Sequence, residues 1–283
     1  MSENLVLKAR IDAPVERVRS ALTSADEVGV WLADNVDIGP DRYQFWGPSV
    51  PEGDKPRQEL VSSGPDGVTF TWNVGGEATT VSLVLTSDDE GTAVTLTQSH
   101  FPGWAVAASP EGGVLALLGT YWGVVLANLV EHIEGRELTP RQDLTSTDLS
   151  VTFDIAAPAE RVYDALLDPA QFAQWFGYPN EVEPHVGGRW TMGSLEHNPN
   201  PAVFTELVPG RTITLDFRNG YGIASWELAE SEGKTRLTFV TSGFDKSNPP
   251  LTGWLGWISG FAELRRYLEV PQWRSTWREL DLG

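Results

Sequence analysis
IDAPVERVRSAL at residues 11–22 and IAAPAERVYDAL at residues 155–166 agree at eight of twelve positions when the first is moved 144 residues onto the second. The same offset, continued without a gap, sets Trp31 of VGVWLADN on Trp175 of FAQWFGYP. Two copies at so long a spacing describe a tandem pair of domains, not a solenoid of short repeats. The chain has 283 residues, so each copy has the length of an ordinary domain and can bury its own core.

The repeated stretch is a strand-to-helix junction. In each copy an alternating strand, LVLKARI (5–11) or LSVTFDI (149–155), runs into Ala-Pro and then a helix. Pro14 and Pro158 suit the first helical turn, where no amide hydrogen is needed, and Glu16 and Glu160 favour the positive end of the helix dipole. Val18 with Leu22, and Val162 with Leu166, share one apolar face. A second short helix starts at Ser24, with Glu27 at capping-box spacing, or at Asp168, followed by Pro169 and Gln171, and it ends near the aligned tryptophan.

Hairpin signals follow. In the first copy they place strands near 36–46, 57–62, 67–73, 79–86 and 91–98, with turns at GPDR, SGPDG, NVGGE and SDDEG. In the second they fall near 180–183, 188–193, 201–208, 211–217, 222–229 and 234–241, with turns at PHVGG, VPGR, RNGYG and SEGK. Each copy closes with a long helix, 112–134 or 250–269. Trp122, Leu126, Leu129 and Ile133 of one match Trp257, Phe261, Leu264 and Leu268 of the other, each set on one stripe facing the sheet. GRELTPRQDLTST (135–147) lacks apolar periodicity and reads as a connection. The expected division is residues 1–136, a linker at 137–147, residues 148–270 and a tail at 271–283, in which Trp273 and Trp277 have the spacing of a docked helical pair.

Hydrophobic residues at 41% and charged residues at 21% are globular proportions, so disorder is not expected. A net charge of −19 repels phosphates and anionic lipid headgroups, which argues against nucleic acid and membrane-surface partners. With no cysteine there is no disulfide scaffold, thiol nucleophile or thiolate metal site. MSENLVLKARID has no apolar core of signal-peptide length, and no stretch reads as an uninterrupted membrane span. A soluble, cytoplasmic protein without membrane insertion is the resulting expectation. A monomer is expected too, since a duplicated chain supplies internally the interface a single domain obtains by dimerising.

The junction APxERVxxAL, the tryptophan ending the second helix, VGGRWTM (186–192), VPGRTITLDF (208–217) and the final Trp-led apolar stripe together resemble the heat-shock-protein-90 ATPase activator-like family. That family belongs to the START-like, or SRPBCC, superfamily of ligand-binding domains. The resemblance covers 149–270 and, more loosely, 5–136. It implies an α+β fold of two tandem helix-grip domains, each a curved antiparallel sheet around a long C-terminal helix with two short helices after the first strand. It also implies a cavity between sheet and helix. The first copy departs by having Pro40-Asp41 in place of Gly187-Gly188 and VSSGPDGVTFTW in place of the VPGR turn.

The chemistry-bearing residues are few. His100, His132, His185 and His197 show no zinc-hydrolase spacing, although His185 and His197 bracket a strand. GxSxG, GxxxxGK[ST] and GxGxxG signatures are missing, and Asp88-Asp89-Glu90 reads as the solvated tip of a hairpin. No metal or cofactor is expected. The twelve tryptophans carry the signal, since an indole offers a broad apolar face and one N–H donor. Trp46, Trp72, Trp104 and Trp122, with Trp190, Trp226, Trp254 and Trp257, lie on elements that would enclose the cavity. Trp31, Trp175, Trp122 and Trp257 belong to the family pattern and read first as core, and Trp104 and Trp254 precede the long helices at the expected mouth. Arg42 and Arg189, matched at strand starts, either face the cavity and fix an anion or pair with a surface acid.

These residues point to a non-catalytic protein that binds a small hydrophobic or aromatic molecule. The alternatives are an aromatase/cyclase-like enzyme acting on a polyketide-like chain and a regulator of a heat-shock ATPase. No convergent acid–base pair supports catalysis. The mismatched stretches, around 37–48 against 183–193 and 101–113 against 244–252, predict that the two halves bind different things.

Overall fold
A computed structural model describes residues 3–89, 91–107, 112–218 and 220–277. The first copy runs β1 (Glu3–Ile11), α1 (Val15–Thr23), α2 (Ala25–Trp31), β2 (Asn35–Gly39), β3 (Arg42–Trp46), β4 (Gln58–Gly64), β5 (Gly67–Val74), β6 (Glu77–Asp88), β7 (Gly91–Phe101), α3 (Trp104–Ala107) and α4 (Gly113–Glu134). The second runs β8 (Leu149–Ile155), α5 (Ala159–Leu167), α6 (Pro169–Phe176), β9 (Asn180–Val182), β10 (Arg189–Met192), β11 (Ala202–Val208), β12 (Thr212–Asp216), β13 (Ile223–Ser231), β14 (Lys234–Ser242) and α7 (Leu251–Glu269). The strand orders are β1-β7-β6-β5-β4 and β8-β14-β13-β12-β11-β10-β9, and every ladder is antiparallel. The fold is α+β, with one main antiparallel sheet and one long helix per copy and a separate two-stranded sheet, β2-β3, in the first.

Period-two patterning makes the sheets. In β7, Val94, Leu96 and Gln98 are buried while Ala93, Thr95 and Thr97 are partly exposed, and the register sets Leu96 beside Leu7 on one side and Leu83 on the other. In the first copy α4 lies on this apolar face. Trp122, wholly buried, meets Trp72 and Phe45 edge-to-face at ring-centre distances of 6.0 and 6.4 Å. Its indole N–H donates to Gln98 Oε1 at 2.6 Å, Gln98 Nε2 donates to Thr79 Oγ1 at 3.0 Å, and Thr79 Oγ1 donates to the Trp72 carbonyl at 2.9 Å. In the second copy Phe261 of α7 meets Phe153 and Phe239 edge-on at 5.5 and 5.1 Å. Edge-to-face pairs of this kind contribute about 0.5–1.5 kcal/mol beyond their buried area.

The two junctions are alike in atomic detail. Trp31 Nε1 donates to the Ala21 carbonyl at 2.9 Å, and Trp175 Nε1 donates to the Ala165 carbonyl at 2.8 Å. Thr92 Oγ1 donates to Ala13 O at 2.7 Å, and Thr235 Oγ1 donates to Ala157 O at 2.6 Å. Pro14 and Pro158 occupy the N-cap position with the same extended backbone, φ −60° and ψ 148°, one residue before the first turn expected for them.

Other expectations are corrected. The capping box at Ser24 does not form. Its side chain makes no cap bond, and Glu27 instead accepts from Arg17, Ser20 and His132. Asp168 does cap its helix, accepting from the amides of Ala170 and Gln171 at 2.8 and 3.1 Å. The stretch 36–46, with its turn at GPDR, is the hairpin β2–β3, which stays out of the five-stranded sheet. Pro48, Pro51 and Pro56 lie between it and β4, and a proline removes a ladder donor. The Gln58 side chain bridges the gap instead: Oε1 accepts from Phe45 N at 3.2 Å, while Gln44 Nε2 donates to Gln58 O at 3.4 Å.

Trp273 and Trp277 form no helical pair. Trp273 Nε1 donates to Glu263 Oε1 at 2.9 Å and its ring abuts Tyr267, whereas Trp277 bridges Ala9 of β1 in extended form and Thr276 O accepts from Arg10 N at 2.7 Å. The tail beyond Trp277, Glu90, and residues 108–111 of the segment before α4 lie outside the described residues. Among the described residues one helix, Gly113–Glu134, is long and apolar enough to cross a membrane by length and composition, contrary to the sequence expectation, and 78% of its most apolar window is buried.

The chain divides into two compact units. The first holds the described residues through Thr145 together with Leu251–Ser259 and Thr276–Trp277, and the second holds Ser146–Pro250 and Gly260–Ser275. The division falls inside the stretch read as a linker, but it assigns the first turns of α7 to the first unit.

Candidate functional site
Helix α4 is buried on more than its sheet face. Next to the stripe Trp122, Leu126 and Leu129 runs a second one, Tyr121, Val124, Val125 and Asn128, whose spacing of three, one and three residues keeps it on one side of the helix. In the first unit this second stripe forms one wall of a small pocket with a volume of about 20 Å³. The other walls are Trp31 and Leu32 at the end of α2, Ser49 in the loop after β3, Arg141, Gln142 and Leu144 of the connecting segment, and Leu255.

The wall is apolar apart from a few groups, most of which are already engaged. Ser49 Oγ donates to Asp34 Oδ2 at 2.6 Å. Gln142 Oε1 accepts from Trp254 Nε1 at 3.2 Å, and Arg141 reaches the Gly29 carbonyl at 3.4 Å. The Leu144 amide donates to the Pro48 carbonyl at 2.8 Å and holds the connecting segment in place. Two groups are different. The Asn128 carboxamide oxygen and the Tyr121 hydroxyl, in residues only 1% and 3% exposed, have no hydrogen-bond partner among the described residues. A buried polar atom left unpaired costs about 1–3 kcal/mol, so such groups need a reason to persist.

Deeper in the same unit Tyr43 OH and Trp72 Nε1 are also buried without a partner among the described residues. Burial pushes the Tyr43 phenol pKa well above its ordinary value, and for Tyr121 burial acts first, with the nearby Asp34 carboxylate adding to it. Both phenols therefore stay neutral at physiological pH.

The expected site residues are scattered. Trp72 and Trp122 fill the space between the sheet and α4 as part of the aromatic core. Trp46 is half-buried at the end of β3. Trp104 starts α3 and packs against Phe101 and Gly119 of α4, where a Cβ would fall 2.8 Å from Trp104 Cη2. Trp190 is buried against Phe172 and Phe217, and Trp226 against Phe239. Trp254 and Trp257 sit within α7 and not before it, in the segment that belongs to the first unit.

Arg42 and Arg189 lie on the surface, with side chains about half exposed. Arg42 Nε pairs with Asp37 at 2.9 Å, and Arg189 grips Glu183 with two bonds of 2.9 and 2.5 Å. That grip, with the Arg189 amide, holds the Glu183 carboxyl down at about 2. His185 and His197 are exposed on loops either side of β10. His132 Nε2 meets Glu27 Oε2 at 2.9 Å. There burial pushes the Glu27 carboxyl up, but bonds from His132, Arg17 and Ser20 outweigh it and leave it below the usual range. Among the described residues no group of three or more acidic or histidine side chains gathers to hold a metal.

The sequence reading missed Tyr121 and Asn128. The signal was present, since Asn128 is the one strongly polar side chain in YWGVVLANLV (121–130).

Several solved structures resemble single copies. Protein CV1439 from Chromobacterium violaceum is 28% identical over 44% of this chain and all of its own, with a TM-score of 0.37. A conserved protein, EF2215, from Enterococcus faecalis is 20% identical over 47% of this chain and 76% of its own, with a TM-score of 0.38. An HSP90 activator from Plasmodium falciparum, PFC0360w, is 21% identical over 36% of this chain and 77% of its own, with a TM-score of 0.31. No curated protein matches the chain. The family described as Activator of Hsp90 ATPase homolog 1-like protein matches residues 12–134 and again 156–269. Matched twice in this way over most of its length, the chain belongs to that family, as two tandem copies of one domain.

Proposed function
We propose that the chain is a non-catalytic binding protein for a small hydrophobic or aromatic molecule, held in the first unit. The observation that carries this reading is the pocket on the second stripe of α4, with apolar walls and two buried polar side chains that have no partner among the described residues. Its place differs from the sequence expectation, which put the ligand between sheet and long helix. In the first copy that space is taken by Phe45, Phe70, Trp72 and Trp122. Apolar walls with one or two polar anchors are the usual make-up of a small-molecule site. Native mass spectrometry of freshly purified protein tests the reading, with a co-purified apolar molecule as the expected result. Repeated absence, together with no tryptophan fluorescence response to a panel of hydrophobic and aromatic compounds, would overturn it.

The family description favours a second reading, a regulator of a heat-shock ATPase. Function travels with sites and not with folds. This reading predicts that a purified heat-shock ATPase is retained by the immobilised chain, and that retention survives saturation of the pocket.

A further inference from the structure
We propose that the outer edge of β8 takes up an extended segment of another polypeptide as an added antiparallel strand, basic on its outward face and with a small side chain against Phe153. The two main sheets end in four edge strands, β1, β4, β8 and β9. Natural sheets guard such edges by shortness, bulges or cover, because an open row of amides and carbonyls is a template for any extended chain. Three of the four are guarded. β9 has three residues, β4 is irregular between Leu60 and Ser62, and β1 is met at Ala9 and Arg10 by Trp277 and Thr276. β8 has seven residues, LSVTFDI, with no proline, no lysine and an unbroken register with β14.

The ladder fixes which groups of β8 are open. Ser231 and Lys234 close a two-residue turn with positive φ at Glu232 and Gly233, so those two residues exchange ladder bonds. Alternation from Lys234 then turns Thr235, Leu237 and Phe239 towards β8, where they bond with Ile155, Phe153 and Val151. The amides of Ser150, Thr152 and Asp154 point the other way, and none has an acceptor among the described residues. In the first copy Arg10 is the outward residue of β1, and its amide donates to Thr276 O at 2.7 Å. The 144-residue offset matches Arg10 to Asp154. The first copy therefore shows an extended stretch seated on the same edge of the same scaffold.

Main-chain bonds give a strand added in this way its affinity, and side chains give it specificity. Ala9 faces Trp277 across the first edge, a small residue against a large one. Phe153 stands in the place of Ala9 and is buried against Phe261 at a ring-centre distance of 5.5 Å, so the residue set opposite it has to be small. On the outward face Asp154 is the charged residue of β8. Arg236 Nε holds its Oδ1 at 3.1 Å, and its side chain is about half exposed. A lysine or arginine opposite Asp154 adds a favourable cross-strand pair, and a net charge of −19 draws a basic segment to the protein. The same charge opposes a second copy of this chain as the occupant.

The test uses the full chain and three end-capped peptides: Thr-Lys-Ala-Thr-Val-Lys-Thr, the same with tryptophan for alanine, and the same with glutamate for both lysines. Set antiparallel to β8 with its alanine against Phe153, the first peptide places its lysines opposite Asp154 and Ser150. Backbone amide exchange, followed by NMR, is the readout. Without peptide the Thr152 amide should exchange fast, and those of Val151 and Phe153 slowly. The first peptide should slow Thr152 and Asp154 by about tenfold or more, and the other two should need several-fold higher concentration for the same effect. Thr152→Pro removes an outward donor and no ladder bond, so it should abolish the protection of Asp154 and leave the melting temperature unchanged. If that variant fails to fold, Asp154→Lys decides, by narrowing the preference for the lysine peptide over the glutamate one. A Thr152 amide already slow in the peptide-free monomer, three peptides of equal strength, or no protection by any of them would overturn the proposal. Protection that rises with protein concentration alone, with a doubled mass by light scattering, would assign the edge to a second copy and overturn it as well.

Discussion
Trp31 and Trp175 do the same work in the two copies, each tying the end of its second helix to a carbonyl ten residues back, whereas Ser24 and Asp168, seven residues before those tryptophans, do not. Asp168 caps its helix. Ser24 leaves its helix uncapped by any side chain, and Glu27 of the same helix is drawn to Arg17 and His132. The lesson concerns what duplication preserves. A buried indole that fills a core site and satisfies a carbonyl has no inexpensive substitute, while the first turn of a short helix tolerates several solutions worth about 1 kcal/mol each.

Four experiments break or sharpen that contrast. Trp31→Ala and Trp175→Ala should each cost about 3–5 kcal/mol, measured by denaturant unfolding. A large loss in one copy alone would show that the matched hydrogen bonds are not equivalent. Gly119→Val and Gly260→Val test close approaches on the two long helices, where a Cβ would fall 2.8 Å from Trp104 and 3.0 Å from Phe176. Each should cost about 1–3 kcal/mol through overpacking, read as a lowered melting temperature. Asp168→Ala should cost about 1 kcal/mol, and Ser24→Ala less than about 0.5 kcal/mol. Equal effects would mean that the serine caps its helix after all.

The smallest effect is electrostatic. Glu183 should titrate near pH 2 by carbon-detected NMR, and in Arg189→Ala it should return towards its ordinary value of 4.5. Because the folded value is depressed, the stabilisation from this pair is present above the ordinary value and is lost as the pH falls through about 2. Arg42 in the first copy divides its attention between Asp37 and Asp41, so the two matched arginines differ in how they are held although both are surface residues.

The features legible in the sequence were those enforced by buried contacts. The Pro-led junction, the aligned tryptophans, most of the strands and both long helices follow from period-two and helical patterning, because burying the wrong face is costly. The separation of the β2–β3 hairpin from β4 was not legible because it depends on three prolines and on glutamine side chains that replace ladder bonds, neither of which alters the alternation of apolar residues. The spacing of Trp273 and Trp277 suggested a helix, but the backbone of Trp277 and its neighbour is used by β1. The pocket was invisible for a related reason: a helix with two buried stripes reads as uniformly apolar, and the pattern alone does not say which stripe meets solid packing and which borders a gap.

The bond from Arg10 N to Thr276 O and the bridge from Ala9 to Trp277 have a consequence for the order of events during synthesis. The edge of β1 that faces away from β7 leaves the ribosome more than 260 residues before the backbone that meets it at Ala9 and Arg10. Units usually fold in the order they emerge, and an uncovered edge strand invites pairing with other chains. The first unit therefore spends the whole translation of the second with that edge open, and it is finished only when the last described residues arrive.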